Sequence, residues 1–173
     1  MHIAERPANL LGAAALTVSD LVLAAASKAT AMNASCSAAL VVLAASPGLS
    51  VTELGRRVGL GQSATTRLVD SMEATGLVQR TASVGRSVAV ELTAAGRHSS
   101  ADLLGARGAA LTELMTALDD DEQDVLATLL GKLLARLYEQ VGSAELICRL
   151  CDRDSCTSHA VCPVGQAERE HGR

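Results

Sequence analysis

Tyr138 is the single aromatic residue of this 173-residue chain, which has no Phe and no Trp. A core must therefore be assembled from Ala, Leu and Val, which dominate the 49% of residues that are hydrophobic. Ala and Leu are strong helix formers, so the composition predicts a mainly α protein held by many small contacts. The same absence nearly removes stacking of bases or sugars on aromatic platforms. With 20% charged residues and an apolar half, disorder is excluded for most of the length. A net charge of −4 argues against a purely electrostatic polyanion binder.

Periodicity divides the chain. Leu10, Leu11, Ala14, Val18, Leu21, Val22 and Ala25 recur at three- and four-residue steps, one face of a helix opened by Pro7. This apolar run is expected to be a soluble amphipathic helix. Glu5 cancels Arg6, which removes a positive n-region, and Asp20 interrupts the run, so neither a signal peptide nor a membrane span is expected. A second helix, capped by Ser35 or Ser37, runs through residues 40–43 to Pro47-Gly48. Ser50-Val-Thr-Glu53 reads as a capping box for a short helix closing near Gly59. A tight turn at Leu60-Gly61 leads to a helix over 62–75 with Ala64, Leu68 and Met72 inward.

The period then becomes two. Residues 77–81 and 87–92 read as strands flanking a Gly-bearing loop, a hairpin. Helical spacing resumes from Thr93 to about Leu118, and Asp119, Asp120, Asp121 and Glu122 mark a helix start, where the macrodipole favours carboxylates. The last long helix carries Val125, Leu126, Leu129, Leu130, Leu133, Leu134, Leu137 and Val141, a stripe wider than one small domain needs. A second copy of the chain is the simplest cover.

Helix, turn, helix, hairpin is the order of a winged helix-turn-helix. The fold class expected is mainly α with a small β-hairpin, the winged unit lying between N- and C-terminal dimerisation helices. Its boundaries are expected at 7–46 for the N-terminal helices, 49–97 for the DNA-binding domain, 98–142 for the C-terminal helices and 143–173 for a cysteine-rich tail. The second helix of the motif opens with Gln62, Ser63, Ala64, Thr65, Thr66 and Arg67, polar and donor-rich where a recognition helix meets base edges and phosphates. Arg80 and Arg86 flank the wing, where arginines enter the minor groove. Residues 50–97 hold six arginines (56, 57, 67, 80, 86 and 97) against four carboxylates, so this segment carries +2 and the remainder −6. The candidate DNA contacts are Arg56, Gln62, Ser63, Thr65, Thr66, Arg67, Arg80 and Arg86.

Three stretches resemble the multiple-antibiotic-resistance (MarR) type of winged-helix regulator. They are 49–54 (LSVTEL), 66–80 (TRLVDSMEATGLVQR) and 90–96 (VELTAAG), with the likeness spanning roughly 8–141. The resemblance implies a homodimer that binds a pseudo-palindromic double-stranded operator and usually represses. It also implies a small-molecule effector or an oxidant as signal, although an aromatic ligand would find little stacking here. Val84 stands two positions before Arg86, where the family usually has an acidic residue.

Ordinary members of that family do not need the tail, so its chemistry is read from its own residues. Cys148, Cys151, Cys156 and Cys162 fall in a Cys-x2-Cys-x4-Cys-x5-Cys-Pro run, while Cys36 stands alone and reads as a buried small apolar residue. Clustered cysteines argue against a secreted disulfide scaffold, and a cytoplasmic protein is expected. Four thiolates satisfy an iron–sulfur cluster or, as the alternative, tetrahedral zinc. The compact run ending in Cys-Pro favours the cluster. His159 could replace one sulfur, and Arg149 and Arg153 could offset the charge. A metal-free thiol–disulfide switch stays open. Catalysis is not expected, because no Ser-His-Asp order, phosphate loop or paired inward carboxylates appear and His2, His98, His159 and His171 are scattered. The competing readings are a redox or metal-binding protein that keeps the winged helix as a dimer scaffold, and a ligand-responsive repressor with a structural zinc tail.

Overall fold

The computed structural model describes residues 5–82, 88–158 and 160–171. Helix α1 (Glu5–Thr30) and helix α2 (Ala34–Ala45) are joined at Asn33, whose side chain accepts the backbone N–H of Cys36 at 2.9 Å. Asn33 therefore caps α2, and Ser35 and Ser37 lie inside it. Strand β1 (Leu49–Ser50) leads into α3 (Val51–Val58), and α4 (Gln62–Ala74) follows across a short turn. Strands β2 (Val78–Ala82) and β3 (Val88–Leu92) pair antiparallel, Arg80 opposite Val90. β1 adds to the far side of β3, Leu49 opposite Val90, giving the order β1-β3-β2. Sequence reading missed β1, because two residues carry no alternation. Helices α5 (Ala94–Met115) and α6 (Asp120–Val141) follow. The tail forms three short helices, α7 (Ala144–Ile147), α8 (Arg153–Thr157) and α9 (Pro163–Glu170).

Most helix ends are set locally. Gly59 and Gly76 adopt positive φ (74° and 72°) directly behind α3 and α4, conformations that cost glycine little. Asp119 and Glu122 form a reciprocal capping box at the start of α6, so this acidic cluster is a helix N-terminus as expected. At α3 only half of the expected box forms. Ser50 Oγ accepts the N–H of Glu53, but the Glu53 carboxylate turns to Arg56 and Arg57 instead of back to the chain. Charge-assisted bonds to two guanidiniums outcompete one backbone N–H.

The principal core joins α2 (Ala39, Leu40, Leu43) to Leu54 and Val58 of α3, Val69 and Met72 of α4, and Val78, Val90 and Leu92 of the sheet. Helix α2 thus contributes to the core of the winged unit, and residues 97 and 98 both lie inside α5. On α4 the inward face is Thr65, Val69 and Met72, with Leu68 half-buried. A smaller cluster of Ala26, Val41 and Leu103 ties α1, α2 and α5 together. A third, Tyr138 with Val164 and Ala167, seats α9 on α6.

Two helices stay largely uncovered. Leu130, Leu133 and Leu137 of α6 are 42, 41 and 46% exposed, and Leu10, Leu11 and Leu16 of α1 are also exposed. Among the described residues α1 alone is long and apolar enough to cross a membrane, with a mean hydropathy of 1.8 over its most apolar window. Leu134 differs from its neighbours. It packs against the tail cluster, because α9 covers that side of α6.

Candidate nucleic-acid interface and candidate metal centre

The helix-turn-helix is built on a close approach of α3 and α4. A Cβ on Gly55 would lie 2.5 Å from Thr65 Oγ1, so only glycine lets the helices meet there. Thr65 is 0% exposed and donates its hydroxyl to the carbonyl of Gly61 at 3.0 Å. Expected at the DNA surface, Thr65 is a packing residue. The pattern Gly55…Thr65 was the available signal, but it can be read only once the two helices are known to touch.

Gln62, Ser63 and Arg67 are exposed on the N-terminal half of α4, and Thr66 is half-buried with its hydroxyl on the carbonyl of Gln62. Gln62 also receives a hydrogen bond from Thr52 at 3.1 Å. Arg67 has no hydrogen-bond or ion-pair partner among the described residues. Its guanidinium is available for phosphate or a base edge.

Arg80 and Arg56, also expected at the DNA, are engaged within the protein. Arg80 pairs with Asp70 at 2.5 Å and with Glu73, which raises its pKa and ties β2 to α4. Arg56 makes two hydrogen bonds to Glu53, at 2.9 and 2.7 Å, and a third to Glu145 at 3.1 Å. Hydrogen bonds from Arg56 and Arg57 hold the Glu53 carboxyl down at about 2. Arg86 and Val84 lie outside the described residues, as does His159.

The four tail cysteines converge. Cys148 ends α7, Cys151 follows in a turn closed by its N–H on the Cys148 carbonyl, Cys156 sits in α8, and Cys162 caps α9 by accepting the N–H of Gly165. All four line one cavity of about 340 Å³, together with Arg57, Arg153, Glu145 and Glu168. Arg107 of α5 faces the same thiols from an adjoining cavity. All are free thiols, and no three acidic, His or Cys side chains among the described residues are drawn into a closed metal-holding set.

The thiols nevertheless sense one another. Hydrogen bonding from Cys148 lowers the pKa of Cys151 against the effect of burial, and Arg107 lowers it further. The same hydrogen bond raises Cys148, and burial with the neighbouring sulfurs pushes Cys156 up to about 11. Four soft sulfur donors line one cavity in which Arg57 and Arg153 are matched by Glu145 and Glu168, and sulfur is the donor type a thiolate-bound metal would take. Arg57, Arg107 and Glu145 were not legible as parts of this site, because each comes from a different element. Cys36 is buried beside Met32, with its sulfur 3.5 Å from that thioether, and burial raises its pKa.

Comparison with known proteins agrees with this architecture. A MarR family model matches residues 31–87, which run from α2 into the wing. The crystal structure of Rv2887, a MarR family protein of Mycobacterium tuberculosis in complex with salicylic acid, shares 30% identity, with a TM-score of 0.57, and the match covers 72% of this chain and 93% of Rv2887. The chain belongs to the MarR family. A MarR family protein from Bacillus stearothermophilus superposes with a TM-score of 0.70 at 25% identity, covering 78% of this chain and 94% of the other. Apo MarR of Escherichia coli shows the same fold at 24% identity and TM-score 0.62, covering 73% of this chain and 96% of its own. A search of curated proteins gave no match. The MarR likeness makes this chain a DNA-binding transcriptional regulator, and not an enzyme, but the family model stops before the four tail cysteines and does not account for them.

Proposed function

We propose that this MarR-family protein is a cytoplasmic homodimeric repressor of a pseudo-palindromic operator, modulated by a thiolate-bound metal in its tail. The observation that carries the DNA reading is the outer face of α4, where Gln62, Ser63 and Arg67, which has no partner among the described residues, stand clear of the core that Thr65 and Val69 anchor. A second copy of the chain covers the exposed leucines of α1 and α6, since large uncovered apolar stripes mark an interface. Cys148, Cys151, Cys156 and Cys162 would hold an iron–sulfur cluster or zinc. The cluster would supply sensitivity to oxidants or iron supply, zinc a structural tie.

A small effector has a seat of its own. A cavity of about 430 Å³ between α2, β3 and α5 is lined by Leu43, Pro47, Leu92, Leu104, Arg97 and Ser100, whose hydroxyl is buried without a hydrogen-bond partner among the described residues. With Glu91 and Arg97 both in the lining, its walls favour a compact ligand with hydrogen-bonding groups over a stacked ring.

Selection from a random duplex pool, with sedimentation of the free protein, tests the DNA reading. The expected result is a dimer that enriches an inverted repeat whose half-sites are about one helical turn apart. A monomer, or a pool without enrichment, overturns it.

A further inference from the structure

Glu145 belongs to the first turn of the tail, yet its carboxylate accepts from Arg56, 89 residues earlier in the helix-turn-helix. One residue on, Leu146 Cδ1 lies 2.9 Å from where a Cβ would stand on Gly59, the residue that turns the chain from α3 toward α4. Leu150 packs against both the winged core and the α1/α2/α5 cluster. On the other side Val164 and Ala167 of α9 seat on Tyr138 of α6. The tail thus touches the DNA-binding helices at one end and the helix expected to dimerise at the other, and the four thiols lie between.

We propose that the cysteine tail is a metal-dependent clamp that fixes the helix-turn-helix against α6 and thereby strengthens operator binding, a reading that rests on the metal centre proposed above. Helices of four, five and eight residues do not hold themselves in water. One centre bound by Cys148 at the end of α7, Cys156 in α8 and Cys162 at the start of α9 joins all three. A tetrathiolate centre is anionic; Arg57 from α3, Arg107 from α5 and Arg153 from α8 face it alongside Glu145 and Glu168, and Glu145 is already paired with Arg56, so loading draws the winged unit and the tail together. A dimer whose recognition helices are held at fixed spacing loses less conformational freedom on DNA and binds more tightly. Without the centre, the ties between the winged unit and the tail among the described residues are Arg56–Glu145, the Leu146 contact and the packing of Leu150.

The test uses three full-length proteins, each made metal-free and then loaded anaerobically with ferrous iron and sulfide, or with zinc alone. They are the wild type, the double variant Glu145→Gln/Leu146→Ala, and Cys151→Ser/Cys156→Ser. Metal content, hydrogen exchange and affinity for the selected operator are read on each. In the wild type, loading is expected to slow exchange over residues 51–59 and 144–158 and to tighten operator binding about tenfold. The Glu145→Gln/Leu146→Ala protein is expected to keep its metal while loading changes its affinity by less than about twofold. The cysteine variant is expected to bind no metal and to behave as the empty wild type. A wild type that loads fully with unchanged exchange at 51–59 and unchanged affinity overturns the clamp and leaves the metal centre standing. A Glu145→Gln/Leu146→Ala protein that responds like the wild type overturns the route through α7. A wild type that takes up neither metal overturns the centre and the clamp together.

Discussion

Gly55 and Thr65 are the contact on which the helix-turn-helix closes, since a Cβ at Gly55 would stand 2.5 Å from Thr65 Oγ1 and 3.0 Å from the Leu60 carbonyl. Neither obstacle can yield easily, one being a fully buried side chain and the other backbone. Gly55→Ala is expected to cost about 1–3 kcal/mol, as overpacking does elsewhere, and to weaken operator binding beyond the loss of folded protein. Urea denaturation and anisotropy on the same preparation measure both, and an unchanged unfolding midpoint would count against the packing.

The arginines of the DNA surface should not be equal. Arg67 has no partner among the described residues, whereas Arg80 is held by Asp70 and Glu73. Arg67→Ala is expected to weaken operator binding by about 1–3 kcal/mol and to flatten its salt dependence. Arg80→Ala is expected to act mainly on stability, through the link between β2 and α4. Equal losses of affinity and salt slope for the two would show that Arg80 leaves its carboxylates to bind DNA.

Leu133 and Leu134 are neighbours on α6 that face different partners. Leu133 is exposed, and Leu134 packs on the tail. Leu130→Asp or Leu133→Asp places a charge on the proposed dimer face and is expected to shift sedimentation toward monomer or to unfold the chain. Leu134→Asp is expected to release the tail first, seen as faster proteolysis beyond Gly142 with the dimer retained. Stable dimers for both exposed-site variants would move the interface off α6.

Glu53 links stability to pH. Its folded pKa, about 2, lies below its ordinary value near 4.5, because Arg56 and Arg57 hydrogen-bond the carboxylate. A depressed carboxylate stabilises the fold above its unfolded pKa, and that contribution is lost as pH falls from about 4.5 toward 2. The gap in unfolding midpoint between wild type and Glu53→Gln should therefore be full near neutral pH and narrow through this window. A gap independent of pH would mean that the glutamine differs for reasons of packing alone.

Much of this protein was settled within a few residues of chain. A lone Tyr among Ala, Leu and Val dictated helices, Asp119 with Glu122 marked the start of α6, and Gly59 and Gly76 marked the ends of α3 and α4. Alternating Val, Ala and Leu marked β3. These signals are short-ranged, because caps, turns and pleats are satisfied by neighbours in sequence. The run of four cysteines is local in the same way, and so was its promise of a thiolate site.

What the sequence left open depended on which elements meet. Thr65 reads as a polar residue at the start of a recognition helix, and only the approach of α3 at Gly55 puts it in the core. Arg56 reads as a DNA contact, and only the return of the tail places Glu145 beside it. Helix α2 reads as a partner of α1, yet its Leu40 and Leu43 complete the winged core. In each case a side chain of fixed chemistry takes its role from a surface tens of residues away, and burial and charge pairing with that surface exist only after the chain has folded.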